Sequence, residues 1–310
     1  MNIKDEILRL KKEKNAVILG HYYLNDELQE VSDFTGDSLA LAQKALQTNC
    51  DVIVFCGVHF MAETAKILNP TKKVLLPDIS ATCSLAECCK AEDFAKFKEQ
   101  NPEHTVISYI NCSAEIKALS DIICTSGNAE KIVRSLPADE KIIFAPDRNL
   151  GAYINKVTGR NMLLWDGACE VHDVLKPEIF VELKQKYPSA KMIAHPECNP
   201  KILEIADFIG STKAMLNYVK KAEEKDFIVG TEWGILYQLR LENPDKNFIT
   251  PISGGTHCIE CKNMKINTME KLRDCLKNET PEILMSAEMI QKAEKPIVRM
   301  LDISKKLGLI

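Results

Sequence analysis

Three of the twelve cysteines sit at comparable places in the chain, and their chemistry is that of a soft-metal site. Cys83 follows VLLPDISAT, Cys169 follows MLLWDGA, and Cys261 follows FITPISGGTHCIE, at spacings of 86 and 92 residues. Each preceding run is apolar and then turns polar and Gly-rich. Three thiolates drawn to one point suit a soft metal or a cluster. A structural zinc usually takes a fourth protein ligand, which Cys258 or His257 could supply, Cys258 through its C-x-x-C spacing to Cys261. A [4Fe–4S] cluster on three thiols instead leaves one iron open, where it can act as a Lewis acid. Cys50, Cys56, Cys112, Cys124 and Cys275 lie in or beside apolar runs and read as small buried hydrophobes. Cys88 and Cys89, shortly after Cys83 on an expected helix, read the same way.

Other polar residues cluster at the ends of expected strands. His21 ends VILGH, His195 ends MIAH, and His172 lies just past Cys169. Such histidines suit carboxylate binding or proton transfer, against the plainer reading of hydrogen-bonded core imidazoles. His59 opens a helix after VIVFCG and reads as a partly buried cap. Tyr23, Tyr109 and Asn111 occupy equivalent corners, where a phenol or amide can polarise a carbonyl or shuttle a proton. Glu197, in AHPEC, is the carboxylate at those corners and the candidate general acid/base. His21, Tyr23 and Tyr109 join it as candidate catalytic groups; Thr231 and Glu232, after FIVG, are weaker candidates. Lys213 could add a charge for phosphate or be a solvated helix lysine.

These residues fall on a repeating frame. The segments from Val17, Val106 and Met192 share an apolar strand, a polar corner, a helix, an Asp (Asp33, Asp121, Asp207), a short apolar run and another helix. A hydroxyl follows each Asp by five residues: Ser38, Ser126 and Thr212. Each is expected to open a helix, where free N–H groups favour anions, although N-capping alone would account for the residue type. The second half of each unit again reads strand, turn, helix, strand. Short apolar strands alternating with helices predict an α/β protein of three pseudo-symmetric parallel αβα sandwich domains. Arranged around a pseudo-threefold axis, they bring the carboxyl ends of their strands, where ligands bind, to a central active site. The expected limits are 1–86, 87–173 and 174–264, with C-terminal helices over 265–310 packing on the body. Pro296 should break or kink the last of these, which reads as beginning at Pro281.

Composition narrows the class. Across 310 residues, 45% are hydrophobic, 27% charged, and the net charge is −4, giving no reason to expect nucleic acid or an anionic membrane as partner. No apolar stretch approaches the roughly 20 residues of a membrane span. The charged N-terminal segment lacks the apolar middle of a signal peptide, so a cytoplasmic protein without a disulfide framework is expected. A cluster-binding sensor would leave the polar corners unexplained, and a nicotinamide dehydrogenase would need a G-x-G-x-x-G that follows no expected strand.

The segments GHYY, DFTGDS, PDISATCSLAECC, SYINCSAEIKALSD, DGACEVH, AHPEC, GSTKAM, GTEWG and HCIECKNM together resemble the quinolinate synthase A family. The match runs in order from about residue 15 to about residue 270. That resemblance implies one [4Fe–4S] cluster per chain on Cys83, Cys169 and Cys261 with one open iron. The family's third ligand directly precedes an x-N-M or x-W-M tripeptide, which selects Cys261 over Cys258. It also implies condensation of iminoaspartate with dihydroxyacetone phosphate to quinolinate, with loss of phosphate and two waters, in NAD biosynthesis. A functional link to L-aspartate oxidase or aspartate dehydrogenase, as the source of iminoaspartate, follows from the same resemblance. So does binding of substrate carboxylate or phosphate by Ser38, Ser126 and Thr212; with the corner residues His21, Tyr109, Asn111, His172, His195, Glu197 and Thr231 they make up the expected substrate-binding set. Some members carry C-x-x-C-x-x-C where this chain has only Cys258 and Cys261, so a thiol–disulfide switch in that motif is not expected here.

Overall fold

The computed structural model describes residues 2–253, 256–257 and 259–310, with the backbone alone at 253, 256 and 257. Cys258 and the side chain of His257, weighed above as fourth ligands, lie outside the described residues. Each unit contributes a four-stranded parallel sheet. The first contains β1 (Ala16–His21), β2 (Phe34–Gly36), β3 (Val52–Cys56) and β4 (Lys73–Leu75), in the order β2-β1-β3-β4. The second contains β5 (Thr105–Tyr109), β6 (Ile122–Cys124), β7 (Ile142–Ala145) and β8 (Leu163–Leu164), in the order β6-β5-β7-β8. The third contains β9 (Lys191–Ala194), β10 (Phe208–Ile209), β11 (Asp226–Gly230) and β12 (Asn247–Ile249), ordered β10-β9-β11-β12. Every neighbouring pair in these sheets is parallel. The αβα triplication expected from the sequence is therefore present, with one strand order throughout.

Register is repeated as closely as order. Leu19 pairs with Phe34, Ile107 with Ile122, and Ile193 with Phe208. The recurrent Asp explains why. Asp33, Asp121 and Asp207 each accept the N–H of Ile18, Val106 and Met192 at 2.8 Å through Oδ2. Each also donates its own N–H back to the same residue's carbonyl, at 2.8–2.9 Å. A carboxylate gripping the central strand fixes the second strand's register, which burial alone leaves open to slippage. The central strands β1, β3, β5, β7, β9 and β11 are almost wholly buried, as short apolar runs in parallel sheets require.

The ends of the chain are packed in. The helix Ile3–Glu13, capped by the Asn2 side chain, buries Ile7 and Leu10 among Leu272, Cys275 and Leu276 of the helix Met269–Asn278. The last helix differs from expectation at two points. It begins at Ala287 with Ser286 as cap, because the preceding segment pairs with the edge of the first sheet: Ile283 N–H reaches Val74 O at 2.8 Å and Leu76 N–H reaches Pro281 O at 3.2 Å. It then runs unbroken to Lys306 through Pro296. Pro in a helix interior costs about 3 kcal/mol. Pro296 is buried with Ala293, Ile297 and Met300, the last three packed in the core shared by the first two units, and that burial offsets the cost. Among the described residues no helix is long and apolar enough to cross a membrane.

Candidate functional site

The central strands deliver equivalent corners to one cavity. By strand register, His21, Tyr109 and His195 share one position, and Tyr23, Asn111 and Glu197 share another two residues on. All six side chains line the same cavity. A tight turn follows each histidine, Leu24 N–H to His21 O at 3.2 Å and Cys198 N–H to His195 O at 3.0 Å. The turn brings the N–H of Tyr23 to 3.2 Å from His21 Nδ1 and that of Glu197 to 3.4 Å from His195 Nδ1. With Nδ1 accepting, the neutral imidazole carries its proton on Nε2. Burial holds both rings neutral, His21 at about 3 and His195 at about 4, the latter despite the nearby Glu197. Both are therefore set as neutral donors, and His195 Nε2 lies 3.2 Å from Ser126 Oγ.

Cys83, Cys169 and Cys261 line this cavity as well. Their loops are alike in detail. In each unit a residue just past the third strand donates its N–H to the carbonyl two residues before the cysteine: His59 to Ala81 (2.8 Å), Arg148 to Gly167 (2.7 Å) and Trp233 to Ile259 (3.0 Å). Each cysteine then caps a one-turn helix: Ser84–Glu87, Glu170–Asp173 or Lys262–Lys265. In each, the cysteine carbonyl accepts from the N–H four residues on, at Glu87, Asp173 or Lys265. Cys88 lies at the end of the first of these turns, exposed, while Cys89 is buried against Phe94 and Cys112. Burial pushes the three cavity thiols up, Cys261 to about 11, and each of Cys83 and Cys169 is raised further by neighbouring thiols.

A hydrogen-bonded chain crosses the cavity wall. His172 Nδ1 lies 3.0 Å from Glu197 Oε2 and 3.3 Å from Cys169 Sγ, and His172 Nε2 lies 3.0 Å from Thr231 Oγ1. Thr231 Oγ1 in turn lies 2.7 Å from Tyr23 Oη. Asn111 Nδ2 donates to Glu197 Oε1 at 3.3 Å, and the Tyr109 hydroxyl donates to the same carboxylate. One consistent direction runs Tyr23 O–H, Thr231 O–H, His172, Glu197, with Tyr109 and Asn111 donating from the other side. Burial alone would push Glu197 up, but His195, His172 and the Tyr109 hydroxyl hold it at about 2. Burial raises the Tyr23 and Tyr109 phenols well above their usual range, so both stay protonated. Thr231, expected at the site, is a link within this chain and does not line the cavity.

The three recurrent hydroxyls line the cavity, but not quite as expected. Ser38 and Thr212 are the first residues of their helices, and the caps are their neighbours: Asp37 accepts from Ala40 N–H and Ser211 from Ala214 N–H. Ser126 does not open a helix: it lies in a turn, Thr125 N–H is held by Asn128 Oδ1 at 2.6 Å, and the helix starts at Ala129. Capping by neighbours leaves the Ser38 and Thr212 hydroxyls facing the cavity. Thr125 was not anticipated, although it aligns with Asp37 and Ser211 in the repeat. Its Oγ1 and Asn111 Oδ1 are buried without a hydrogen-bond partner among the described residues, and both line the cavity. Lys213 is exposed, and no Lys or Arg lines the cavity among the described residues, so neutral donors must hold anionic groups there.

The donor set fits a metal centre. Donor atoms of Cys169, His172 and Glu197 all lie within 4.8 Å of one another. Two more thiols face the same space, from the other two loops. Buried thiols with raised pKa ionise readily only beside a cation, and a bound metal supplies one. Cys83, Cys169 and Cys261 are soft donors from three different loops, and His172 Nδ1 faces both Glu197 and Cys169.

Comparison with known proteins agrees with this geometry. The family model described as quinolinate synthetase A protein matches residues 5–302. A quinolinate synthase of Microcystis aeruginosa is 58% identical over 299 residues, covering 96% of this chain and 94% of its own. That of Synechocystis is 57% identical over 299 residues, with 96% and 94% covered. The quinolinate synthase of Chloroherpeton thalassium is 54% identical over 307 residues, with 98% and 95% covered.

Proposed function

The chain belongs to the quinolinate synthetase A family of enzymes, and from that premise we propose that it condenses iminoaspartate with dihydroxyacetone phosphate. The products are quinolinate, phosphate and two waters, a balance that needs no external oxidant or reductant. The observation that carries this reading is the convergence of three thiols, one per unit, on a cavity whose wall holds the Glu197–His172 pair.

Each demand of the reaction has a group suited to it. The substrates bring two carboxylates and a phosphate. The Nε2–H groups of His21 and His195, the hydroxyls of Ser38, Ser126 and Thr212, and the unpaired polar atoms of Asn111 and Thr125 are suited to bind them. Glu197 is ionised at rest and is suited to take a proton from carbon during tautomerisation, then to return one to a departing hydroxyl. The Tyr109 phenol donates to Glu197 and can polarise a carbonyl or imine; Tyr23, through Thr231 and His172, can replace a proton drawn from the relay. Val58, Phe60, Met61 and Met264 give the cavity an apolar wall that limits water. When bound on Cys83, Cys169 and Cys261, a [4Fe–4S] cluster with one open iron supplies Lewis acidity.

Iminoaspartate hydrolyses in water, so an enzyme that oxidises aspartate, an aspartate oxidase or dehydrogenase, is the expected source. The described cysteines are all free thiols, which suits the reducing cytoplasm. Supplying the anaerobically purified chain with dihydroxyacetone phosphate and iminoaspartate generated in place should yield quinolinate and phosphate in equal amounts. A chain that holds its cluster yet forms no quinolinate would overturn the substrate assignment.

A further inference from the structure

The backbone bonds around the three cysteines recur in every unit, but one nearby side chain differs in kind. The residue before the N–H donor that binds each cysteine loop is Val58 in the first unit, Asp147 in the second and Glu232 in the third. Asp147 and Glu232 have no exposed surface. Asp147 Oδ1 accepts from Leu150 N–H at 2.7 Å, capping its helix, while Oδ2 accepts from Cys169 N–H at 3.1 Å. Glu232 also divides its oxygens, although its helix begins further on, at Ile235. Oε2 accepts from Gly234 N–H at 2.6 Å, and Oε1 accepts from Cys261 N–H at 3.3 Å and pairs with Lys265 Nζ at 3.1 Å. Val58 has no side-chain oxygen with which to make either bond.

Helix capping alone would need only one oxygen, and Ser or Thr would serve. The second oxygen reaches to the cysteine backbone in both units that have it. We infer that Asp147 and Glu232 are positioning residues that aim Cys169 and Cys261 into the cavity by tying each cysteine's N–H to the chain just past its unit's third strand. The surroundings restrict these loops further. A Cβ at Gly167 would fall 2.5 Å from Pro146 O, so the Cys169 loop runs close against the backbone beside Asp147. Lys265 holds Glu232 from the other side while lying 3.8 Å from the centre of the Trp233 ring and donating to Tyr23 O at 2.6 Å. Among the described residues Cys83 has no such tie, so two of the three thiols are held by carboxylates and the third by its loop.

The inference rests on the reading of these cysteines as cluster ligands, and its test separates the two. Asp147→Ser keeps an oxygen that can cap Leu150 but is too short to reach Cys169; Glu232→Gln keeps the side-chain length and loses the ion pair and one acceptor. Wild type and both variants are purified anaerobically as full chains. Iron and sulfide are followed during a timed chelator challenge, and the reduced cluster's electron paramagnetic resonance spectrum is recorded. Thiol alkylation is then mapped residue by residue on the metal-stripped chains. Positioning predicts folded variants that lose iron about 10-fold faster or more, with altered spectra. It also predicts an alkylation rate changed at Cys169 only in Asp147→Ser, at Cys261 only in Glu232→Gln, and at Cys83 in neither. An Asp147→Ser chain with wild-type iron loss, spectrum and Cys169 reactivity would reduce Asp147 to a helix cap and overturn the inference. If the wild type itself holds no cluster, the cofactor reading falls, and the alkylation pattern alone decides the positioning claim.

Discussion

Glu197 Oε2 lies 3.0 Å from His172 Nδ1, with both side chains buried and the two residues drawn from different units of the triplicated fold. The pair places a carboxylate in contact with a proton relay on one side and the cavity on the other. Glu197→Gln preserves shape and the Asn111 side of the site but removes the base. The expected result is a kcat lower by about 10²–10⁴-fold, with iron content unchanged. A kcat within twofold of wild type would remove Glu197 from the chemistry.

Thr125 gives a prediction of opposite signs. Its hydroxyl is buried and unpaired in the cavity. An unpaired buried polar group costs about 1–3 kcal/mol, so Thr125→Val should leave the melting temperature unchanged or raise it. If the hydroxyl meets substrate, KM should rise about 10-fold in the same variant. A fall in stability with unchanged KM would show that Thr125 is a structural residue.

The recurrent Asp residues should behave in the reverse manner. Asp121 binds the Val106 N–H and does not line the cavity. Asp121→Ala leaves that N–H without its partner and should cost about 1–3 kcal/mol in denaturant unfolding. Its kcat and KM should stay at wild-type values; a kinetic defect at full folding would mean that the repeat's Asp serves the site.

What the sequence disclosed follows from what repeats. The triplication exposed the strands, the corners at His21, Tyr109 and His195, and the equivalence of the three cysteine loops, because each is encoded within one unit. Roles set between units were harder to read. The contact of Glu197 with His172, and of Tyr23 with Thr231, depends on how units face one another, which no local pattern carries. Ser126 was misplaced at a helix start because Asn128 closes a turn that its sister units lack. Pro296 stays inside a helix because burial with Ala293, Ile297 and Met300 overrides a local preference. Thr125 was legible in principle, since it aligns with Asp37 and Ser211, but its missing partner is visible only in three dimensions.

Stability should respond to acid through Glu279. This residue sits at φ 53° after the helix Met269–Asn278, between Lys14, at 2.7 Å, and Lys73. The hydrogen bonds from Lys14 and Lys73 hold its carboxyl at about 2, below the usual 4.5. A depressed carboxylate contributes stability above its unfolded pKa and loses it as pH falls through the folded value. Glu279→Gln should therefore be less stable than wild type at pH 6, by about 0.5 kcal/mol given solvent screening. The two should converge between pH 4.5 and 2. Melting curves that stay parallel across that window would assign the effect to something other than this charge.

The convergence of one cysteine from each unit on a single cluster is tested most directly by iron and sulfide analysis of Cys83→Ser, Cys169→Ser, Cys261→Ser and Cys258→Ser chains purified anaerobically. Wild type and Cys258→Ser should carry about four irons and four sulfides per chain, and each of the other three should lose the cluster together with quinolinate formation. Stoichiometric zinc in the wild type, or loss of metal in Cys258→Ser alone, would contradict the account.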